Sequence, residues 1–238
     1  MRRASLLSLA VLLLACDKSG DTPAADPKAP DEAKAEETAA AVPARKTATP
    51  PPVTPANAPP AEVGKPAPDF TLPGLDGVEV KLSSFRGKTV VLEWFNPNCP
   101  FVNNAHAEGS LKTMAKDEVA KGVVWLAVNS GAPGKQGHGV EANTVGVKTF
   151  GLEHPVLLDE SGAVGRAYGA EKTPHVFLID GDGTLVYRGA IDNAPFGEVD
   201  GGGDVINYLA NALTELSADK PITTPQTAPY GCTVKYGS

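Results

Sequence analysis

Positive charge is scarce in this chain. Across 238 residues, 21 Lys and Arg stand against 28 Asp and Glu, a formal net charge of −7. That balance excludes the basic stripe a nucleic-acid-binding surface needs. Aromatic residues make up 6% of the chain, and none lies between Asp17 and Pro60. That segment is mostly Ala, Pro, Thr, Asp, Glu and Lys, and includes "TATPPPVTPANAPP". It cannot bury enough apolar area to offset the entropy of ordering it. Pro-rich chain is semi-extended, so residues 16–60 are expected to form a disordered tether, with the charge run Asp31 to Glu37 as a solvated spacer. No apolar run is long enough to span a bilayer; the N-terminal one, Leu6 to Leu14, falls far short of the roughly 20 residues required. Cysteine is equally sparse. Cys16, Cys99 and Cys232 are the only three, so they cannot all pair within the chain.

What is present begins with "MRRASLLSLAVLLLAC", two arginines before a short apolar run. This has the layout of an export signal. Its close, Leu13-Leu14-Ala15-Cys16, resembles the lipobox of bacterial lipoproteins. The resemblance implies a signal peptide over 1–15, lipidation of Cys16, and anchoring at the extracytoplasmic side of a bacterial cell envelope; an ordinary secretory signal is the alternative. Either way the compartment permits disulfides. Cys99 and Cys232 then remain as an even pair, which invites a disulfide hypothesis.

Beyond about Val63 the patterning is that of a globular domain. "GVEVKL" alternates as a short strand does. "TVVLEWF" and "GVVWLAVNS" are near-continuous apolar runs, expected of strands buried on both faces. Phe101 to about Val119 reads as one helix-length segment, Glu141 to Phe150 as a helix, "HPVLLD" as a strand and "GAVGRAYGA" as a short helix. "HVFLID" and "TLVYRG", joined through Gly181-Asp182-Gly183, form a hairpin signal. In "DVINYLANALTEL", Val205, Leu209, Leu213 and Leu216 fall at helical spacing. Alternating strands and helices imply an α/β domain with a parallel core, and the hairpin adds an antiparallel edge. "NSGAPGKQG" lacks the spacing and the hydroxyl residue of a phosphate loop and reads as a Gly-rich turn.

The stretch "VGKPAPDFTLPGLDGVEVKLSSFRGKTVVLEWFNPNCP", followed by "TPHVFLIDGDGTLVYRG", resembles the redoxin branch of the thioredoxin-like superfamily, the alkyl hydroperoxide reductase/thiol-specific antioxidant group. The resemblance runs from about Ala61 to Leu216. It implies a thioredoxin-like fold over 61–217, a central mixed sheet flanked by helices with an N-terminal β-hairpin extension, and a C-terminal tail over 218–238. In such a fold the first active-site cysteine, here Cys99, ends a central strand and caps a helix. Unpaired N–H groups and the helix dipole there favour a thiolate, and Pro100 suits the first helical turn.

The same resemblance singles out three further residues, and the cysteine count adds a fourth. Glu93, six before Cys99 within an apolar strand, matches the buried acid that exchanges a proton during catalysis. Desolvation is expected to raise its pKa; an exposed strand face is the alternative reading. Thr173 and Pro174 match the residue pair around a cis-proline that faces the active-site cysteine, where the Thr173 backbone would pair with an extended substrate. Cys232, in the "YGCTVKY" of a tail able to dock through its tyrosines, is the candidate resolving cysteine; a free or intermolecular thiol remains open.

Departures from the family pattern bear on the reaction. Position 102 is Val, so the Cys-x-x-Cys partner is missing. Asn96 and Leu92 stand where peroxiredoxins carry Thr or Ser and Pro, and Pro174 falls near where they use an Arg. The expected function is therefore a membrane-tethered thiol-disulfide oxidoreductase that needs no cofactor. It would act on thiol or disulfide protein clients with an external electron donor, and a weak thiol peroxidase is an alternative. A second class, a copper or zinc protein, would use Cys99 and Cys232 with His106 and His175, while His138 and His154 read as loop residues. A third is a structural lipoprotein whose disulfide only staples the tail.

Overall fold

The computed structural model describes residues 60–238. The signal peptide, Cys16 and the tether expected over 16–60 lie outside the described residues.

Five strands form the central sheet: β3 (Val90–Trp94), β4 (Val124–Asn129), β5 (Val156–Leu158), β7 (His175–Ile179) and β8 (Leu185–Gly189), in the order β5-β4-β3-β7-β8. The pairs β3/β4 and β4/β5 are parallel, and β3/β7 and β7/β8 are antiparallel. The parallel part carries the continuous apolar runs because both faces are covered. Every residue of β3 is buried, Glu93 included. A separate hairpin, β1 (Thr71–Pro73) with β2 (Glu79–Lys81), precedes the sheet. The expected mixed sheet, flanking helices and N-terminal hairpin are all found.

On one face, Val90, Leu92, Trp94, Val128 and Phe177 pack with Tyr168 of α4 (Ala163–Tyr168) and Phe70 of the entry segment. On the other, Val91, Trp125, Val176 and Leu178 pack against Ala105 of α1 (Pro100–Ala107), Leu111 and Ala115 of α2 (Leu111–Ala120), and Leu209 and Leu213 of α5 (Tyr208–Ser217). The α3 helix (Gly139–Phe150) adds Val147 and Phe150 to the cluster around Phe95, Val102 and Cys99.

Two expectations need correction. The segment from Phe101 to Val119 is not one helix: it breaks at Glu108–Ser110. Gly109 lies so close to the preceding turn that a Cβ would meet the Ala105 Cα at 2.9 Å, and its N–H bonds to the Asn104 carbonyl at 2.8 Å. Ser110 then hydrogen-bonds Asp192, which holds the break in place. Nor does Val205 belong to the last helix. It is exposed, and α5 starts only after Asn207, whose side chain accepts the Ala210 N–H at 2.9 Å as an N-cap. The helical spacing from Val205 was a coincidence of the loop's composition.

The tail is ordered against the body. Its strand β9 (Cys232–Thr233) pairs antiparallel with β6 (Lys172–Thr173).

Candidate active site

The corner after β3 is built by Asn96. Its side-chain oxygen accepts the Asn98 N–H at 2.9 Å, a local Asx turn that reverses the chain directly before Cys99. The Asn96 amide also donates to the Gln136 carbonyl at 3.1 Å, and the Gln136 side chain returns a bond to the Asn98 carbonyl at 3.1 Å. The Gly-rich turn "NSGAPGKQG" thus braces the active-site corner. Within it, buried Asn129 bonds Gly137 and Asn143.

Cys99 is the N-cap residue of α1, with Pro100 in the first turn, as the resemblance implied. Its Sγ lies 3.0 Å from the carbonyl of Thr173, to which the thiol donates. The Thr173–Pro174 peptide bond is cis. In the β6/β9 register Thr173 stands directly opposite Cys232, so three of the predicted residues meet at one point. Both cysteines are free thiols.

The two thiols differ in acidity. Burial alone pushes Cys99 up, but hydrogen bonding by the Cys232 thiol and by the N–H groups of Val102 and Cys232 outweighs it, leaving Cys99 below its ordinary value. Burial, then the hydrogen bond and charge of Cys99, push Cys232 up to about 11. The proton therefore leaves Cys99 first, and Cys232 stays protonated beside it. The geometry supplies a nucleophile with a hydrogen-bond donor already in place.

Glu93 is fully buried, as a residue on an exposed strand face could not be, but its expected raised pKa is not found. Its Oε1 is 2.7 Å from the His106 Nε2, and its Oε2 accepts the Trp125 indole N–H at 3.1 Å. Burial pushes the carboxyl up, yet the charge and hydrogen bond of His106, aided by His154 and Trp125, bring it below its ordinary value. Glu93 is thus a carboxylate tied to α1 and β4, with both oxygens already engaged away from Cys99.

The four residues of the soft-metal reading are not gathered. His106 is spent on Glu93, and His175 uses Nδ1 to accept the Glu171 N–H at 3.3 Å. Among the described residues no three His, Cys, Asp or Glu side chains are grouped to hold a metal ion. His138 and His154 do sit outside the helices, as expected.

Sequence reading missed the aromatic rim. Phe101, two residues past Cys99, stacks on Phe196 with centroids 4.3 Å apart and lies 6.2 Å from the Tyr230 ring. The Tyr230 hydroxyl donates to the Asp192 carboxylate at 2.8 Å. Only the tyrosines of "YGCTVKY" hinted at this. Nothing local marks Phe196, which lies in a Gly-rich loop.

The family profile described as Redoxin matches residues 62–205. Among curated proteins, the chain is 34% identical over 130 residues to "Thiol-disulfide oxidoreductase ResA" of Geobacillus thermodenitrificans (strain NG80-2), covering 52% of this chain and 66% of that protein. The ResA of Geobacillus kaustophilus (strain HTA426) is 37% identical over 124 residues, with the same coverage of 52% and 66%. The matched region thus spans about two thirds of those relatives. Among solved structures, a hypothetical protein from Sinorhizobium meliloti 1021 has a TM-score of 0.65 at 31% identity, covering 74% of this chain and 96% of that one. An uncharacterized conserved protein from Geobacillus kaustophilus has a TM-score of 0.64 at 29% identity, covering 76% and 94%.

Proposed function

This chain belongs to the redoxin family, and on that premise we propose that it is a thiol-disulfide oxidoreductase in which Cys99 is the nucleophile and Cys232 the resolving thiol. The observation that carries the reading is geometric: Cys99 caps α1 with its Sγ 3.0 Å from the Thr173 carbonyl, and Cys232 stands opposite Thr173 on the paired strand. One thiol caps a helix with its pKa lowered, and its partner, held one strand away, has its pKa raised. The activity named for the ResA relatives supports it.

The reaction runs in two exchanges. The Cys99 thiolate attacks one sulfur of a client disulfide, forming a mixed disulfide and expelling the other client sulfur as a thiolate. Cys232 then gives up its proton and attacks the Cys99 sulfur. The Cys99–Cys232 disulfide forms, and the second client thiolate leaves. Two electrons have passed from the enzyme's two thiols to the client, and a dithiol reductant restores the enzyme. Run backwards, the same steps oxidise a client. Thr173 lies within contact of the attacking sulfur and Pro174 fixes the turn that presents it. Glu93, engaged by His106 and Trp125, is assigned to holding α1 on the sheet rather than to proton transfer.

We further propose that residues 1–15 direct export, that Cys16 is lipidated, and that 16–60 tether the domain to a membrane of the cell envelope. The lipobox-like "LLAC" supports this part. The chemistry is tested with a Cys232→Ser variant and a protein disulfide client. That variant should accumulate a mixed disulfide at Cys99, visible as a mass adduct, whereas the unaltered protein turns over. Absence of both the adduct and turnover would refute the assignment.

A further inference from the structure

Cys99 has 0% of its surface exposed and Thr173 only 2%, although Asn98 and Pro100 on either side of the cysteine are exposed. A thiolate that exchanges with a disulfide must be reached by it. What covers Cys99 is the chain's own last segment: β9 lies along β6 with Cys232 opposite Thr173.

This segment is seated by specific contacts. The Val234 N–H bonds to the Glu171 carbonyl at 3.0 Å, extending the pairing beyond β9. The Tyr236 hydroxyl donates to the Ala170 carbonyl at 2.8 Å, and the Arg166 guanidinium sits 4.7 Å over its ring. Position 231 has no room for a side chain: with φ at +110°, a Cβ would lie 2.2 Å from the Thr173 carbonyl oxygen. Tyr230 reaches toward Phe101, whose stacking partner Phe196 is 55% exposed. The strand pairing, the sulfur and the aromatic contact are ones another strand with glycine at that position could make, whereas the Tyr236 contacts belong to the tail alone.

We propose that the chain's own tail occupies, as an internal client which real clients displace, the β6 edge where the family resemblance places an extended substrate, and that the Phe101–Phe196 shelf extends that edge for one cysteine-bearing strand. The chemistry of the docked strand rests on the oxidoreductase reading above. Withdrawal of β9 uncovers the Cys99 sulfur, the Thr173 backbone and the aromatic shelf together. The occupant also states the preference of the site: glycine directly before the cysteine and an aromatic residue two before it, as in Tyr230-Gly231-Cys232. Return of the tail after the first exchange brings Cys232 to the mixed disulfide, so displacement and resolution are the two halves of one motion.

The test uses the full chain carrying Cys16→Ser and the peptide Pro-Tyr-Gly-Cys-Thr-Val in two forms. In one, the peptide cysteine is replaced by serine and cannot react. Saturating amounts should speed amide exchange at Val234 at least tenfold as the tail leaves, and the same peptide with Val in place of Gly should not. In the other, the peptide cysteine carries a thionitrobenzoate leaving group whose release is read by colour. Tyr236→Ala should raise the release rate at least fivefold; Tyr236→Phe, which keeps the ring and removes only the hydroxyl bond, should raise it less. Unchanged exchange at Val234, equal effects of the Gly and Val peptides, or release rates indifferent to both Tyr236 variants would overturn the proposal. Faster exchange without any release from Cys99 would instead uphold the docking site and overturn the oxidoreductase reading.

Discussion

At the level of single residues, the chemistry turns on how one sulfur is solvated. Cys99 is buried, which alone would keep its proton on. Donors from Cys232 and the α1 N-terminus reverse that. The rate of alkylation against pH should therefore give an apparent pKa for Cys99 below the ordinary 8.5 or so. Cys232→Ala removes one donor and should move that value up, while an apparent pKa unchanged in that variant would detach Cys232 from the thiolate. Asn96 bears on which oxidant the sulfur meets. Its amide is committed to the turn and to Gln136, so no hydroxyl is placed there to orient a peroxide. Hydrogen peroxide should oxidise Cys99 to the sulfenic acid more slowly than disulfide exchange proceeds. Stopped-flow rates in the reverse order would make the protein a peroxidase.

At the level of elements, the buried hydrogen-bonded pair of Glu93 on β3 and His106 on α1 decides how the helix bearing Cys99 is held. The pair spans the strand before the cysteine and the second turn after it. Breaking a buried pair leaves an uncompensated polar group and typically costs about 3–5 kcal/mol. Glu93→Ala should lose that order of stability in denaturant unfolding. The double variant Glu93→Leu/His106→Leu, which removes both buried polar groups, should recover much of it. The same series separates anchoring from acid–base catalysis. In folded Glu93→Gln protein the apparent pKa of Cys99 should shift by less than about half a unit, given that both Glu93 oxygens bond elsewhere. A large shift, with activity falling in parallel, would return Glu93 to the proton-transfer role its spacing suggested.

For the whole molecule, acid is the natural denaturant. Burial pushes His154 down to about 4 and His175 down to about 3, from an ordinary value near 6.5. The unfolded chain therefore binds more protons than the folded one below pH 6.5, and stability falls with pH until roughly those values are reached. Each imidazole contributes a slope of up to about 1.4 kcal/mol per pH unit. Glu93, with its pKa lowered, adds stability that is present above its unfolded value of 4.5 and lost as pH falls through the folded one. Asp159, raised chiefly by burial, works in the opposite sense just above 3.8 and moderates the loss. Unfolding free energies between pH 7 and 5 should fall steeply, and His154→Gln should remove about half of the slope; a flat profile in the unaltered protein would contradict both histidines' burial. Oxidation acts on the same scale. A Cys99–Cys232 bond closes a loop of more than a hundred residues, for which chain entropy gives roughly 4–5 kcal/mol. The oxidised protein should melt higher than the reduced one, and equal melting points would mean the tail is not cross-linked in the oxidised state.

Local pattern sufficed wherever the determining interaction was local. The apolar runs of β3 and β4, the Asp-Gly hairpin between β7 and β8, the Pro at the start of α1 and the Asn-Pro corner before Cys99 each carry their cause within a few residues, so the fold class and the place of Cys99 at the head of α1 were readable in the chain. The start of α5 had its local signal in Asn207, which the apolar spacing from Val205 masked. The break at Gly109 was not readable in this way, because Asp192, which holds it, comes from another part of the sequence. The same holds for the acidity of Glu93. Burial predicted a rise, but the sign was decided by His106, thirteen residues on and brought back by α1. The position of Cys232 was the furthest from local control. The cysteine count and the tail's tyrosines suggested that the tail returns to Cys99, but only the tertiary fold decided that it lies along Thr173. Strand pairing between segments some sixty residues apart is fixed by which backbone edges the packed core leaves open, and no short window of sequence contains that edge.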